Sequence, residues 1–158
     1  MKVLVIAVGR PDRGACGCLF DDYAGRIRKL GVPFDARFVP DVKPGGRFSD
    51  AHVMEREARA LREALPERCH VIALSPAGRT MTTEAFAKGF ERWSHPLAAF
   101  VLGGPLGLDP AFIEAADGCW SLSALTMPHE LARVVVAEQI YRAVTLQRGV
   151  PYHKASGA

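Results

Sequence analysis

The chain has 158 residues, of which 49% are hydrophobic and 23% are charged, and its formal net charge is +3 at pH 7. These values are typical of soluble globular proteins, so they argue against a disordered chain and predict one domain over 1–158. The charge alone is too small to indicate a nucleic-acid-binding protein. Most basic residues are Arg, which suits phosphate contacts but is explained equally well by a GC-rich genome.

Targeting signals and metal motifs are missing from the sequence. No apolar run reaches the roughly 18 residues that a membrane span needs, and VLVIAV follows the first two residues without a cleavage pattern. We therefore expect a cytoplasmic protein. Cys16, Cys18, Cys69 and Cys119 do not have the spacing of a four-ligand zinc site, so we expect reduced thiols and no metal.

The first half of the chain alternates between strand and helix patterns. Residues 2–8 (KVLVIAV) are a continuous apolar run that predicts a buried strand. Residues 18–30 place apolar side chains at helical spacing, and 34–39 (FDARFV) predict a second strand. A Pro- and Gly-rich surface loop covers 40–50, and a second helix is expected over 50–65.

The second half continues the alternation. HVIAL at 70–74 predicts a third strand, and a third helix is expected to begin after Thr82 or Thr83 as its cap and to end before Pro96. Residues 97–102 (LAAFVL) and 119–123 (CWSLS) predict two more strands. The last helix starts near Pro128, which suits a first helical turn.

This alternation predicts an α/β fold with a parallel sheet of about five strands covered by helices on both faces. In such sheets the loops at the carboxyl ends of the strands form the usual ligand site. The loops 73–80, 103–107 and 121–128 would converge there if the third, fourth and fifth strands are neighbours. Backbone N–H and C=O groups of these three loops would then form the polar lining of one mainly apolar pocket.

The segment VLGGPLGLDP, which begins at Val101, contains Gly103, Gly104 and Gly107. Their spacing is neither that of a dinucleotide fingerprint nor that of a phosphate loop, which argues against hydride transfer and ATP chemistry. A structural turn and a binding loop are equally compatible with it. Because Arg79 is the one cation in these loops, the pocket suits an adenine with an amino-acid tail better than a polyphosphate.

The last helix combines apolar and charged residues. Its expected buried stripe consists of Leu131, Val134, Val135, Tyr141 and Val144. Glu138 lies on the same side with Arg142 four residues later, and His129 and Arg133 lie one turn apart on another face. After the helix, PYHK at 151–154 offers a ring, an imidazole and an ammonium group, a combination suited to RNA.

Three segments at these distances, VLGGPLGL, WSLSALTMPHELARVVVAEQIYRA and VPYHK, closely resemble the ribosomal RNA large subunit methyltransferase H family. That family is a minimal member of the SPOUT class of S-adenosylmethionine-dependent methyltransferases. The similarity is strong from Val71 to Lys154, extends to KVLVIAVGR at the start, and is weak over 40–60.

The resemblance implies a SPOUT fold with a trefoil knot over about 71–154, acting as a homodimer. It implies methyl transfer from S-adenosylmethionine to N3 of a pseudouridine in 23S rRNA, in the stem-loop that faces the small subunit of the assembled ribosome. The cofactor-binding positions that carry over are Leu74, Gly104, Ser123, Ala124, Leu125, Thr126, Met127 and Pro128.

Further roles are hypotheses on these residues. His129 or His153 would assist removal of the N3 proton, with Arg133 also placed at the catalytic site. The residues expected to contact RNA are Arg133, Arg142, Tyr152, His153 and Lys154. The last helix would both contribute to the dimer interface and border the cofactor.

Two positions depart from the family pattern, because the family usually has an acidic residue where Leu106 stands and commonly an Asp where Ser75 stands. Weakened cofactor affinity and neutral variation are both compatible with these changes. Three other functions remain open: an RNA-binding ribosome-assembly factor without catalysis, a related SPOUT enzyme acting on tRNA, and a flavodoxin-like nucleotide binder, which the missing phosphate loop argues against.

Overall fold

The structure is a computed structural model that describes residues 1–43 and 48–152. Within these ranges, strands and helices alternate from the first strand to the last helix. In chain order the elements are β1 (Val3–Val8), α1 (Ala15–Lys29), β2 (Phe34–Val39), α2 (Asp50–Ala64), β3 (His70–Arg79), α3 (Thr83–Trp93), β4 (Ala98–Leu102), α4 (Pro110–Ala115), β5 (Gly118–Trp120) and α5 (His129–Gln147).

The strands form one parallel sheet in the order β2-β1-β4-β3-β5. β1 and β4 lie inside the sheet and are buried along their whole length, as their continuous apolar sequences predict. β2 is an edge strand, and its central residues alternate between exposed and part-buried. The parallel order brings the carboxyl ends of β3, β4 and β5 to one edge of the sheet, as expected.

Helices cover both faces, which confirms the predicted architecture. On one face Val5 and Phe100 pack into a core with aromatic residues of α1 and α3 and with the buried side of α5. On the other face Ile6 and Val101 pack against α2 and Phe112 of α4. Neighbouring strand residues therefore point into different cores, because side chains alternate along a strand.

Side-chain caps begin three of the helices. The hydroxyl of Thr82 accepts from the Ala85 amide at 3.2 Å, so Thr82, not Thr83, caps α3. Ser49 caps α2 through the His52 amide. Asp109 caps α4 through the Phe112 amide, and Pro110 occupies the first turn, where a missing N–H costs little.

The carboxyl-terminal half differs from the predicted elements at three places. α4 was not expected, because six residues are too few to show a helical period. β3 continues past Leu74 to Arg79, because the Arg79 carbonyl accepts from the Ser121 amide at 3.1 Å after a shift in register with β5. β5 ends at Trp120, earlier than the expected Ser123, and the residues after it enter a loop.

The predicted buried stripe of α5 is wrong in part. Val134 and Val144 are buried, but Leu131 is 42% exposed, and Val135 and Tyr141 are only part-buried. The helix packs against both α1 and α3, so its buried side is broader and is shifted toward other positions. The residues that fill it are Arg133, Val134, Val136, Ala137, Ile140, Ala143, Val144 and Thr145.

Other expectations concern the thiols, metals, membranes and the knot. The four cysteines are free thiols. Across 1–43 and 48–152, no three His, Cys, Asp or Glu side chains lie together as a metal site, and no helix is long and apolar enough to cross a membrane. The single domain over 1–158 and the knot over 71–154 stay predictions.

Candidate cofactor-binding site

A cleft of about 410 Å³ lies at the carboxyl ends of β3, β4 and β5. Its walls come from the segments after these strands and from the start of α5. This is the edge of a parallel sheet where ligands usually bind, and its volume lies within the range of small-molecule sites. The three loops that the sequence indicated therefore meet in one place.

Most of the predicted cofactor-binding residues line this cleft. The ones that do so are Leu74, Gly104, Ser123, Leu125, Thr126 and Met127. Ala124 and Pro128 belong to the same segment but are not part of the lining, and Pro128 is the residue that precedes α5. The roles of all eight in binding a cofactor remain to be tested.

The local backbone conformation after β4 requires glycine. A Cβ on Gly103 would lie 2.5 Å from the carbonyl carbon of Gly107, and Gly107 has a φ of +83°. The Gly107 amide donates to the Gly104 carbonyl at 2.9 Å and closes a turn. These glycines therefore allow a tight turn whose backbone forms one wall of the cleft, so the turn and the cleft use the same residues.

The loop after β5 is ordered by its own serines. The Ser121 hydroxyl donates to the Ser123 carbonyl at 3.0 Å, and the Ser123 hydroxyl accepts from the Leu125 amide at 2.9 Å. These bonds define the conformation of 121–125 without a ligand. Leu125 is 79% exposed, so this loop also presents an apolar side chain to solvent.

The cleft is electrically almost neutral. Among the described residues that line it, His129 is the one with a titratable side chain. Leu106 and Ser75 both line the cleft, so the two positions at which the chain departs from the family pattern are at the site itself. Apolar walls with many backbone groups suit a ligand that is largely uncharged at its buried end.

His129 begins α5 with its Nε2 atom 2.8 Å from Oε1 of Glu130. An N–H on Nε2 would donate to this carboxylate and leave the Nδ1 lone pair as the proton-accepting position. Both side chains are only about one third exposed, which limits their motion. The imidazole is thus oriented by a neighbouring carboxylate at the edge of the cleft.

Arg133 is placed differently from what the sequence suggested. It is 3% exposed, and its guanidinium donates to the carbonyls of Val8 at 2.6 Å and Arg10 at 2.9 Å. It also lies over the ring of Phe38 at 5.1 Å. Burial lowers the pKa of Arg133, while Glu130 and Asp12 favour its charged form. The side chain therefore points into the interior of the protein, not toward solvent.

Arg142 and Tyr152 lie together, away from the cleft. The Tyr152 hydroxyl donates to the Glu138 carboxylate at 3.1 Å, and Arg142 pairs with that carboxylate while its guanidinium lies 4.9 Å from the Tyr152 ring centroid. Burial, with Tyr23 and Glu138 nearby, raises the pKa of Tyr152 well above its usual value. His153 and Lys154 lie outside the described residues.

Sequence reasoning missed Glu57, which is buried behind the Gly104 turn. A signal existed in the pattern of α2, where Val53 and Leu61 are core residues. Glu57 stands midway between them at a spacing of four, which places its carboxyl on the buried side of the helix. Charged residues are seldom fully buried without a partner, so such a position indicates a special role.

The fold agrees with comparisons to protein families and to solved structures. The model of the family described as Predicted SPOUT methyltransferase matches residues 1–153. A probable methyltransferase from Bordetella pertussis Tohama I has a solved structure with a TM-score of 0.54 and 20% identity, covering 90% of this chain and 93% of that one. A probable methylase family protein from Haemophilus influenzae Rd KW20 gives a TM-score of 0.52 at 13% identity, covering 99% and 71%. At these identities the structures support the fold alone.

Curated relatives are more similar. Proteins named Ribosomal RNA large subunit methyltransferase H from Thioalkalivibrio sulfidiphilus and Gemmatimonas aurantiaca are 38% and 42% identical to the chain, each over 98% of it and over 99% and 100% of the relative. The protein of that name from Sorangium cellulosum is 43% identical over 96% of the chain and 99% of its own length. The chain belongs to this family of SPOUT methyltransferases, which confirms the resemblance seen in its sequence.

Proposed function

We propose that the chain transfers a methyl group from S-adenosylmethionine to N3 of a pseudouridine in 23S rRNA on the assembled ribosome. The observation that carries this proposal is the neutral cleft built from the loops after β3, β4 and β5, with His129 at its edge. The relatives' name specifies large-subunit ribosomal RNA. The pseudouridine and its N3 atom come from the family resemblance.

The cleft fits the cofactor chemically. Its apolar side chains, among them Leu102 and Met127, suit contact with an adenine ring and an aliphatic chain. The backbone N–H and C=O groups of its glycines can come close to such a ligand and form hydrogen bonds with its polar atoms. Bound S-adenosylmethionine would supply an electrophilic methyl group. Leu74, Gly104 and the 123–128 segment would hold the donor and exclude water from it.

The absence of carboxylates at Ser75 and Leu106 affects this fit. An acidic side chain at either position could pair with the amino group of the ligand or with its sulfonium charge. In this chain the corresponding contacts would come from the Ser75 hydroxyl and from backbone carbonyls. We therefore expect binding, with an affinity limited by the missing charge.

His129 is the residue that we propose to assist removal of the N3 proton. Its orientation by Glu130 leaves Nδ1 free to accept a proton. His153 remains the alternative in the proposal. A base at the start of α5 would stand next to the donor pocket, so one helix end would serve both reactants.

Arg142, Tyr152, His153 and Lys154 are the residues that we propose for RNA contact. The first two lie 13 and 23 residues after His129, and at 1.5 Å per residue Arg142 is about 20 Å along α5 from it. We therefore propose that they complete the site of a second copy and not their own. Arg133 is kept as a residue of the catalytic region, with the role of ordering the loop after β1, since its guanidinium is occupied there.

A homodimer is part of the proposal. Leu131 on α5 and Leu125 in the loop before that helix are exposed large apolar side chains, and Leu125 also lines the cleft. A second copy seated on this side would cover both and would bring its carboxyl-terminal tail toward the cleft. The expected measurement is a molecular mass of twice the chain mass in sedimentation equilibrium, reduced to that of a monomer in the Leu131→Glu variant.

The decisive test uses labelled S-adenosylmethionine with intact ribosomes, separated large subunits and tRNA as substrates. We expect label in the 23S rRNA of intact ribosomes, at a pseudouridine located by mass mapping. Label in tRNA alone would favour the related SPOUT activity on tRNA. Calorimetric heat of cofactor binding without transfer to any RNA would contradict the enzyme assignment, and no heat at all would favour the non-catalytic assembly factor.

A further inference from the structure

Glu57 contacts two segments that follow strands, the loop after β2 and the turn after β4, and the second of these lines the cleft. It lies on α2 and is 2% exposed. Its Oε1 atom accepts from the Val42 amide at 3.1 Å, in the loop that follows β2. This bond joins one carboxyl oxygen to the loop after β2, at the same edge of the parallel sheet as the turn after β4.

The other carboxyl oxygen faces the turn after β4. Oε2 is buried and has no hydrogen-bond partner of ordinary geometry. A Cβ on Gly104 would lie 2.9 Å from Oε2 and 3.2 Å from Oε1, so the carboxyl is directly against the Gly104 backbone. Gly104 itself lines the cleft. Glu57 is therefore one layer behind the wall of the cleft.

The surroundings of Glu57 act on its ionisation in opposite directions. Burial raises the pKa of Glu57 and the charge of Asp41 raises it further, whereas the amides of Val42 and Gly104 lower it. A buried carboxylate is costly unless donors satisfy it. The Gly104 amide is the second backbone donor that acts on this carboxyl, so the orientation of the Gly104 peptide decides how well Oε2 is satisfied.

We propose that Glu57 is a positioning residue that sets the orientation of the Gly104 peptide for cofactor binding. This inference rests on the proposed function, because that function supplies the cofactor that the Gly104 turn would bind. Closure of the Glu57 to Gly104 bond on binding would link the cleft to the loop after β2. The carboxyl would act through the backbone and would not touch the cofactor.

The test compares Glu57→Gln with the matched variant Glu63→Gln, whose side chain is exposed on the same helix. Glutamine keeps the volume and can keep the bond from Val42. Its NH₂ group then faces the Gly104 amide, so two donors meet where an acceptor stood. We expect Glu57→Gln to weaken S-adenosylmethionine binding about tenfold by calorimetry, which corresponds to one lost hydrogen bond to a charged group. Glu63→Gln should bind like the natural chain.

A second readout begins with the natural chain. In NMR spectra the Gly104 amide should shift with cofactor and with the ionisation of Glu57, together with the Val42 amide. A role in stability alone would lower the melting temperature of Glu57→Gln and leave cofactor affinity and the Gly104 shift unchanged, which would overturn the inference. If the natural chain and Glu63→Gln also fail to bind, the proposed function falls and this inference falls with it.

Discussion

The guanidinium of Arg133 on α5 donates to the carbonyl oxygen of Val8 at the end of β1, across 125 positions of the chain. A second bond reaches Arg10. α5 is therefore joined to the segment that leaves the central sheet, beside the start of the helix that borders the cleft. The contact explains how a charged residue can lie on the buried side of an apolar helix.

Replacing Arg133 with Met should destabilise the protein. The substitution keeps much of the aliphatic volume but leaves the Val8 and Arg10 carbonyls without their donor, at a cost of about 2 kcal/mol in the free energy of unfolding. Urea denaturation measures this change. Arg68→Met, on an exposed loop, is the control and should change little. Equal stability of the two variants would show that water replaces the guanidinium.

Gly78 should not tolerate a side chain. A Cβ there would lie 2.6 Å from the carbonyl carbon of Trp120 and would separate the end of β3 from β5. We expect Gly78→Ala to lower the free energy of unfolding by about 1–3 kcal/mol, the range for overpacking.

Gly25 provides the matched control for this substitution. It lies inside α1, and a Cβ there meets nothing within 4 Å. Gly25→Ala should therefore stabilise the chain by about 0.5–1 kcal/mol. The contradicting result would be similar melting temperatures for the two alanine variants.

His129→Gln should lower methylation of ribosomes about a hundredfold if the imidazole accepts the N3 proton, because glutamine cannot act as a base. The rate is measured with both substrates saturating, so that a change in cofactor affinity does not enter. His52→Gln on α2 is a control outside the cleft. A full rate for His129→Gln would transfer the role to His153.

Tyr152→Ala separates the tail from the cofactor site. It removes the hydrogen bond to Glu138 and the ring beneath Arg142, neither of which lines the cleft. We expect S-adenosylmethionine affinity to stay the same and transfer to ribosomes to fall at least about tenfold, by loss of contacts worth about 1–3 kcal/mol per stacked base. Unchanged transfer would remove Tyr152 from the RNA-binding set.

The stability of the natural chain should depend on pH through Glu57. Its pKa is raised on folding, so the folded state binds the proton more tightly, and this contribution is present below the unfolded value of 4.5. It is lost as the pH rises from 4.5 through the folded pKa. Glu57→Gln lacks this proton, so its free energy of unfolding relative to the natural chain should increase with pH over that window. Parallel pH profiles would contradict a buried, titrating Glu57.

Periodicity predicted the sheet well because β1 and β4 are unbroken apolar runs and because Thr82 and Pro128 mark helix starts. The side of α5 that is buried was harder to predict. Leu131, Val135 and Glu138 follow helical spacing as closely as Arg133, Val136 and Ile140 do, and only contact with α1 and α3 decides between them. Because the side of α5 that is buried contains Arg133, a charged residue, the sequence pattern does not indicate that side as the buried one.

The loops that form the cleft could be predicted from the sequence, because residues that control backbone conformation stand in them. The glycines after β4 and the serines of 121–123 indicated the loops that form the cleft. The ligand that we propose, S-adenosylmethionine, comes from the family resemblance and not from the spacing of any motif. Glu57 was missed although its spacing from Val53 and Leu61 places it on the buried side of α2, because no local pattern shows that the Val42 amide and the Gly104 turn lie against its carboxyl.

The cleft is shared among loops that follow three different strands, so no segment of the chain forms it alone. A ligand held there can stabilise only molecules in which β3, β4 and β5 are assembled, by about 2.7 kcal/mol at a hundred times its dissociation constant. If that ligand is a methyl donor, the rate at which proteases degrade the protein would fall as the concentration of the donor rises. The enzyme would then be most abundant when its methyl donor is also abundant.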